Sequence, residues 1–418
     1  MGKKIITIIL LLGIFLNSRV LFVYAENENT AESTESGSML EKTEDLELKN
    51  QGAASKKAAV TVTSEAAILM EAQTGTVIFE KNQDERVSPA SITKIMTLLL
   101  IYDALHDGRL QLSDKVTTSA HAKSMGGSQV FLEEGEKQTV ETLLKCILVA
   151  SGNDAAVAMA EHIAGTEEEF VSRMNQKAEE LGMENTHFTD CCGLTDSEEH
   201  YTTPRDIALM SRELITKYPE VFDYTRIWME NITHTTSKGS SEFGLTNTNK
   251  LIRQYEYATG LKTGSTGKAK FCVSATAEKN GVSLIAVIMG AEDSKARFKD
   301  AVTLLNYGFG KCQMYTDENM PSLDPISVTG GIQESISLEY EKKFTYLDTT
   351  GANLNAVTSR LQIPDKVNAP VKKGDTVGQR IYYLDEKEIG SVNLLAEETV
   401  KKAGFFDYLR KALYWIAL

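Results

Sequence analysis

The sequence predicts an α+β protein: an antiparallel sheet flanked by helices, then a small all-β domain, then a C-terminal amphipathic helix. Two β-capable runs near residue 66 and two more near residue 271 enclose a long stretch of helical patterns. After Cys312 those patterns stop and apolar–polar alternation takes over. The final residues place apolar and aromatic side chains on one broad arc of a helix.

The chain begins with a targeting pattern. Lys3 and Lys4 precede an apolar run from Ile5 to Leu16, and Val23-Tyr24-Ala25 suits a cleavage site, so residues 1–25 read as a secretory signal peptide. An uncleaved anchor is the other reading, although the run is short for a span. Residues 26–58 are rich in Glu, Ser, Thr, Asn and Lys without periodicity, the composition of a flexible acidic linker.

Residues 59–314 read as one domain. Ala66–Ala72 and Thr76–Glu80, joined by Gln73-Thr74-Gly75, form a hairpin. A long apolar helix runs from Ser91 to His106 and stops at Gly108. A second covers Thr139–Ala150 and delivers Ser151 at its end. Two more cover Glu167–Leu181 and Thr203–Tyr218, the latter with Pro204 in its first turn. Strands Phe271–Glu278 and Val282–Gly290 flank Lys279-Asn280-Gly281, and Asn-Gly is a strong hairpin signal. A helix from about Ser294 to Tyr307 closes the domain. Sheet strands at both ends with helices between them imply an antiparallel sheet built from the two ends.

Residues 315–395 read as the all-β domain, with turns at Gly330-Gly331, Asp348–Gly351 and Lys373-Gly374-Asp375. In residues 396–418, Phe405, Phe406, Tyr408, Leu409, Ala412, Leu413, Trp415 and Ile416 share an arc opposite Asp407, Arg410 and Lys411. That pattern suits a helix lying in a membrane surface; a helix packed back on the β domain is the other reading.

Composition sets outer limits. The 418 residues are 42% hydrophobic and 24% charged, as in ordinary globular proteins, and can hold two domains. The net charge of −14, with no Lys/Arg cluster in the first 300 residues, argues against nucleic acid as a partner. The five cysteines are odd in number and Cys191 and Cys192 are adjacent, so most read as small buried hydrophobes. No Cys-x-x-Cys or His-x-x-x-His spacing occurs, so neither a metal nor a cofactor is expected.

Three short motifs carry the chemistry: Ser91-Ile92-Thr93-Lys94, Ser151-Gly152-Asn153 and Lys262-Thr263-Gly264. On a helix, Ser91 and Lys94 share a face. A serine hydroxyl needs a base to become a nucleophile. Lys94 can be that base only if its amine loses its charge near neutrality, well below its usual pKa of about 10.4. Burial lowers it, and the second cation, Lys262, is expected to push the same way. Ser151 can relay a proton to a leaving amine. Asn153 can hold a substrate amide, Thr263 can bond a substrate carboxylate, and Gly264 can let a substrate strand approach the sheet edge. The backbone N–H groups of Ser91 and Ser265 are the candidate oxyanion donors. Each motif alone is a weak signal; the three together, in this order, are a strong one.

On these residues the sequence closely resembles the D-alanyl-D-alanine carboxypeptidases, low-molecular-weight penicillin-binding proteins of serine peptidase family S11. Pro89-Ala90-Ser91-Ile92-Thr93-Lys94, Ser151-Gly152-Asn153-Asp154-Ala155-Ala156 and Leu261-Lys262-Thr263-Gly264 look like its three motifs. Asn185-Thr186-His187-Phe188 and Gly193-Leu194 resemble further landmarks, and Arg297-Phe298 matches an arginine that helps bind the substrate carboxylate. Cys191-Cys192 departs from the pattern before Gly193. The resemblance implies a β-lactamase/transpeptidase-like fold. It further implies removal of the terminal D-alanine from peptidoglycan pentapeptide through an acyl-enzyme on Ser91, inhibition by β-lactams, and a place at the outer face of the cytoplasmic membrane. His187 is then structural. A β-lactamase, a DD-endopeptidase and a non-catalytic cell-wall binding protein are the alternatives. No Glu-x-x-Leu-Asn signature precedes Lys262 to support the first, and the C-terminal domain argues against the second.

Overall fold

The structure, a computed structural model, describes residues 60–417. The expected signal peptide and the expected linker lie outside the described residues. Strands β1 (Ala66–Glu71) and β2 (Val77–Lys81) form the first hairpin. A 3-10 turn, Ala90–Thr93, runs into helix α1 (Lys94–His106). Then follow β3 (Lys115–Thr117), α2 (Ala120–Ser124), β4 (Lys137–Thr139), α3 (Val140–Leu148), α4 (Asn153–Ala164), α5 (Glu167–Glu180), α6 (Pro204–Lys217) and α7 (Phe222–Thr225). A long hairpin, β5 (Met229–Thr236) and β6 (Gly239–Thr246), leads through α8 (Leu251–Gln254) to β7 (Ala258–Thr266), β8 (Lys270–Lys279), β9 (Val282–Ala291) and α9 (Ser294–Lys311).

The main sheet has the order β2-β1-β9-β8-β7, with every pairing antiparallel. The two ends of the domain meet at β1 and β9, as the sequence pattern requires. β9 is the central strand, and its near-continuous apolar sequence follows from burial on both faces. Ile285, Val287 and Met289 join the layer built by α1, α3, α4 and α6. Leu284, Ala286 and Ile288 face Phe298, Ala301, Leu304 and Leu305 of α9. β7 is one of the two edge strands, and the 3-10 turn packs against it.

The elements depart from the sequence reading in several places, beyond the short elements β3, α2, β4, α7 and α8 that it did not include. The helix expected from Ser91 starts as a tighter turn, so Ser91 lies on 3-10 backbone and only Lys94 opens the α-helix. α9 runs to Lys311, past the expected end at about Tyr307 and through Gly308. A Cβ at Gly308 would lie 2.6 Å from a Leu284 methyl group, so the glycine serves close helix–sheet packing. Helix α4 and the β5–β6 hairpin were not anticipated. The hairpin has only Ile232, His234 and Leu245 buried, too few to impose an alternation on its polar sequence.

The C-terminal region is all-β, made of β10 (Gln313–Thr316), β11 (Ile326–Thr329), β12 (Ser335–Ile336), β13 (Leu338–Tyr340), β14 (Thr345–Asp348), β15 (Thr358–Gln362), β16 (Lys366–Asn368), β17 (Thr376–Leu384) and β18 (Lys387–Ala396). Its pairing continues beyond residue 395. Val371 bridges the buried Val400, and Gly331 bridges Lys402, so residues 396–403 are held to the β region and not to the tail. Helix α10 (Phe405–Ala417) follows. Phe405 and Phe406 are 75% and 80% exposed, and Tyr408, Leu409 and Leu413 are also exposed. Among the described residues no helix is long and apolar enough to cross a membrane.

Candidate active site

The three motifs converge where the 3-10 turn, the loop between α3 and α4, and edge strand β7 meet. Ser91 is half-buried, whereas Ile92, Thr93 and Lys94 are buried beneath it. The turn therefore presents one hydroxyl and hides its support. Ala90, just before Ser91, has φ +47°, and Ser151 has φ +61°. Left-handed backbone costs a residue with a side chain about 1–2 kcal/mol, and such positions concentrate at functional sites.

Lys94 is fully buried, and its Nζ lies 3.0 Å from Ser91 Oγ. Its other neighbours are the Asn153 Oδ1 at 2.5 Å and the Cys192 carbonyl at 2.8 Å. Both oxygens can only accept. A neutral amine has two hydrogens and one lone pair. The two carbonyl oxygens take the hydrogens, which leaves the lone pair for the Ser91 hydroxyl. Burial pushes the Lys94 pKa down; the Cys192 and Cys191 thiols and the Asp190 and Asp154 carboxylates oppose this without cancelling it.

Lys262 is buried as well and donates to Ser151 Oγ at 2.7 Å and to the Thr263 carbonyl. Its amine is pushed far down, first by burial and then by the Lys94 and Arg297 cations. Burial is the first cause at both lysines, and the repulsion between the two amines disfavours holding both charged. Two carboxylates, Asp154 and Asp190, also reach the site.

The binding candidates have partners of their own. Asn153 spends its carboxamide inside the protein: Oδ1 on Lys94, and Nδ2 donating to the Gly126 carbonyl at 2.8 Å. It orients the amine and straps down the loop before Val130. Thr263 donates to Thr248 Oγ1 at 2.7 Å. A Cβ at Gly264 would lie 3.0 Å from the Pro89 carbonyl and 3.1 Å from the Ile92 nitrogen. The glycine thus admits the turn carrying Ser91, where the sequence reading had it admit a substrate strand. Ser265 is exposed. Arg297 lies behind β7, where Nη1 donates to the Gly264 and Cys272 carbonyls at 3.1 Å and Nε is unpartnered. Burial pushes its pKa down to about 10, which leaves it a cation at neutrality.

Sequence reasoning missed the residues that hold the turn from below. Cys191 and Cys192 contribute carbonyls: the first accepts from Thr97 Oγ1 and the second contacts Lys94. All five cysteines are free and buried. Asp190 accepts from the backbone N–H groups of Cys192, Gly193 and Thr195. Burial pushes the Asp190 pKa up, but His200 and those N–H groups outweigh it and hold the carboxyl below its ordinary range. His200 is buried and its Nδ1 accepts from the Thr189 N–H, so its proton is on Nε2, which donates to Thr93 Oγ1 at 2.8 Å. His187 instead bonds the Glu199 carbonyl and bridges Tyr201, a structural place. On the other wall Asp154 accepts from the N–H groups of Val130 and Leu132. Asp154 and Gly193 lie in the stretches that carry the family resemblance; His200 carries no local signal.

The helix-flanked antiparallel sheet with its appended β domain is a transpeptidase-like fold. A family model described as D-alanyl-D-alanine carboxypeptidase matches residues 51–293, and one described as penicillin-binding protein 5, C-terminal domain, matches residues 313–402. The D-alanyl-D-alanine carboxypeptidase DacF of Bacillus subtilis is 41% identical over 351 residues, covering 84% of this chain and 89% of that protein. DacC of Escherichia coli, another D-alanyl-D-alanine carboxypeptidase, is 32% identical over 83% of this chain and 87% of its own length. The crystal structure of penicillin binding protein 5 from Haemophilus influenzae superposes with a TM-score of 0.66 at 30% identity, covering 82% of this chain and 98% of that one. This chain belongs to the D-alanyl-D-alanine carboxypeptidase family.

Proposed function

We propose that the protein is a serine-type D-Ala-D-Ala carboxypeptidase acting on peptidoglycan stem peptides. The observation that carries this reading is the Lys94 amine, buried, held by two acceptors and 3.0 Å from Ser91 Oγ. Lys94 takes the Ser91 proton as Oγ attacks the carbonyl of the penultimate D-alanine. The C–N bond breaks, and the leaving amine receives a proton through Ser151, whose hydroxyl is paired with Lys262. Water then hydrolyses the ester and restores Ser91. N–H groups of Ser91 and Ser265 serve the oxyanion, Thr263 and Arg297 the terminal carboxylate, and Gly264 the close fit of turn and strand. A β-lactam acylates the same oxygen and occupies it.

Incubating the protein with a peptide ending in D-Ala-D-Ala releases free D-alanine, and Ser91→Ala releases at least about a thousandfold less. Equal release by both proteins would remove Ser91 from the mechanism. A long-lived penicilloyl adduct separates the peptidase from a β-lactamase, which turns the drug over quickly.

Lys3 and Lys4 before the apolar run support export. The bare aromatic face of α10 supports attachment to the outer face of the cytoplasmic membrane. Because Val400 is packed into the β region, the informative truncation is after Ala403 and not near Ala396. The shortened protein is expected in the soluble fraction with its D-alanine release unchanged; retention on membranes would assign attachment elsewhere.

A further inference from the structure

A second cleft, of about 360 Å³, opens between the loop before β4 and the β5–β6 hairpin. Phe131 stands at its mouth, 65% exposed and at φ +61°. A bulky aromatic residue in left-handed backbone, pointed at solvent, is an outlier from which function is reasonably inferred. Its ring meets Phe243 edge-on at 5.8 Å, and Phe243 meets His234 at 5.7 Å. His234 is nine-tenths buried. Its Nδ1 is 2.8 Å from an oxygen of Glu136, whose side chain has no exposure, and its Nε2 has no partner. An orphaned buried ring nitrogen is costly unless something pairs with it. Around these groups stand the hydroxyls of Thr236, Ser240 and Ser241 and the amine of Lys238.

The cleft is tied to the candidate active site at both walls. The Asn153 N–H donates to the Ser128 carbonyl, three residues before Phe131. The hairpin ends at Thr246, two residues before Thr248, which bonds Thr263.

We infer that this cleft is a subsite for the amino-sugar that carries the stem peptide. The inference rests on the carboxypeptidase reading for its substrate. A pyranose has apolar C–H faces for Phe131 and Phe243 and a rim of hydroxyls for the side chains around them. A hydroxyl both donates and accepts, so it can pair with the Thr236, Ser240 and Ser241 hydroxyls and with the Lys238 amine. The enzyme would then favour peptide still attached to glycan over free peptide.

The test compares kcat/KM for a pentapeptide ending in D-Ala-D-Ala with that for the same pentapeptide on a muramyl disaccharide. The wild type is expected to favour the disaccharide form by about tenfold, the effect of one good subsite. Phe131→Ala, and independently Ser241→Trp, which fills the cleft from an exposed position, bring that ratio to about one. An unchanged ratio in both variants overturns the inference, as does a wild-type ratio of one. Calorimetric titration with the disaccharide-tetrapeptide and the bare tetrapeptide needs no turnover. Tighter binding of the former that Ser241→Trp abolishes supports the subsite, and equal binding of the two overturns it. If no D-alanine is released from either substrate the carboxypeptidase reading fails, and the calorimetry still decides for or against the sugar.

Discussion

Lys94→Arg is expected to slow acylation of Ser91 by a fluorescent penicillin by about a hundredfold to ten-thousandfold, the range supplied by a positioned general base. A guanidinium cannot give up its proton in a protein, so the substitution preserves charge and removes the base. The larger head group in a full slot costs about 1–3 kcal/mol in overpacking, which a melting curve reads separately from acylation. The wild type supplies a second measurement. Protonated Lys94 has no lone pair, so acylation falls as pH drops through its pKa. Burial has lowered that pKa, so the fall lies below the ordinary lysine range of about 10.4. Stability follows the same sign. The unfolded chain binds the proton more readily, so the folded state loses stability as pH falls from the ordinary lysine value to the depressed one. Wild-type acylation rates in Lys94→Arg would hand the role of base to another group.

Gly193→Ala has the largest structural effect expected of any single methyl group at this site. Gly193 has φ +76°, and a Cβ there would be 1.8 Å from the Ala90 carbonyl oxygen and 2.8 Å from Thr93 Oγ1. Neither is the far end of a flexible side chain that could swing away. The turn carrying Ser91 must move, or the loop from Asp190 must let go of it. The expected cost is about 3 kcal/mol or more, from overpacking added to left-handed strain, with penicillin acylation lost alongside. Gly267→Ala is the control. Nothing lies within 4 Å of its added methyl, so its denaturation midpoint should match the wild type within about 0.5 kcal/mol. Equal midpoints for the two variants would mean that the contact between Gly193 and the turn is not as tight as described.

The parts of this protein that were legible in its sequence are those whose side chains carry the information. β8 and β9 alternate or run apolar because of which faces they bury, and Asn280-Gly281 adopts the two positive φ values, +51° and +76°, that such a turn requires. Ser91, Lys94, Ser151 and Lys262 were found because their functional groups have to be those groups. The parts that stayed hidden work through the main chain or through residues distant in sequence. The third neighbour of Lys94 is a carbonyl, which every residue has. His200 reaches Thr93 across 107 positions with no spacing rule to announce it. The β5–β6 hairpin buries too little to print a period on its sequence. Asn153 is legible as a binding residue, but its bonds to Lys94 and to the Gly126 carbonyl, one at each end of the carboxamide, depend on partners far off in the sequence.

The carbonyl that Cys192 lends to Lys94 has a consequence for how the loop can vary. The amine needs only the peptide oxygen, while the side chain at that position, with no exposure, must be small and apolar enough to fill its place in the core. A vicinal thiol pair can therefore occupy this spot without any thiol chemistry being called for. A search for polar side chains would pass over one of the three atoms that cage the amine.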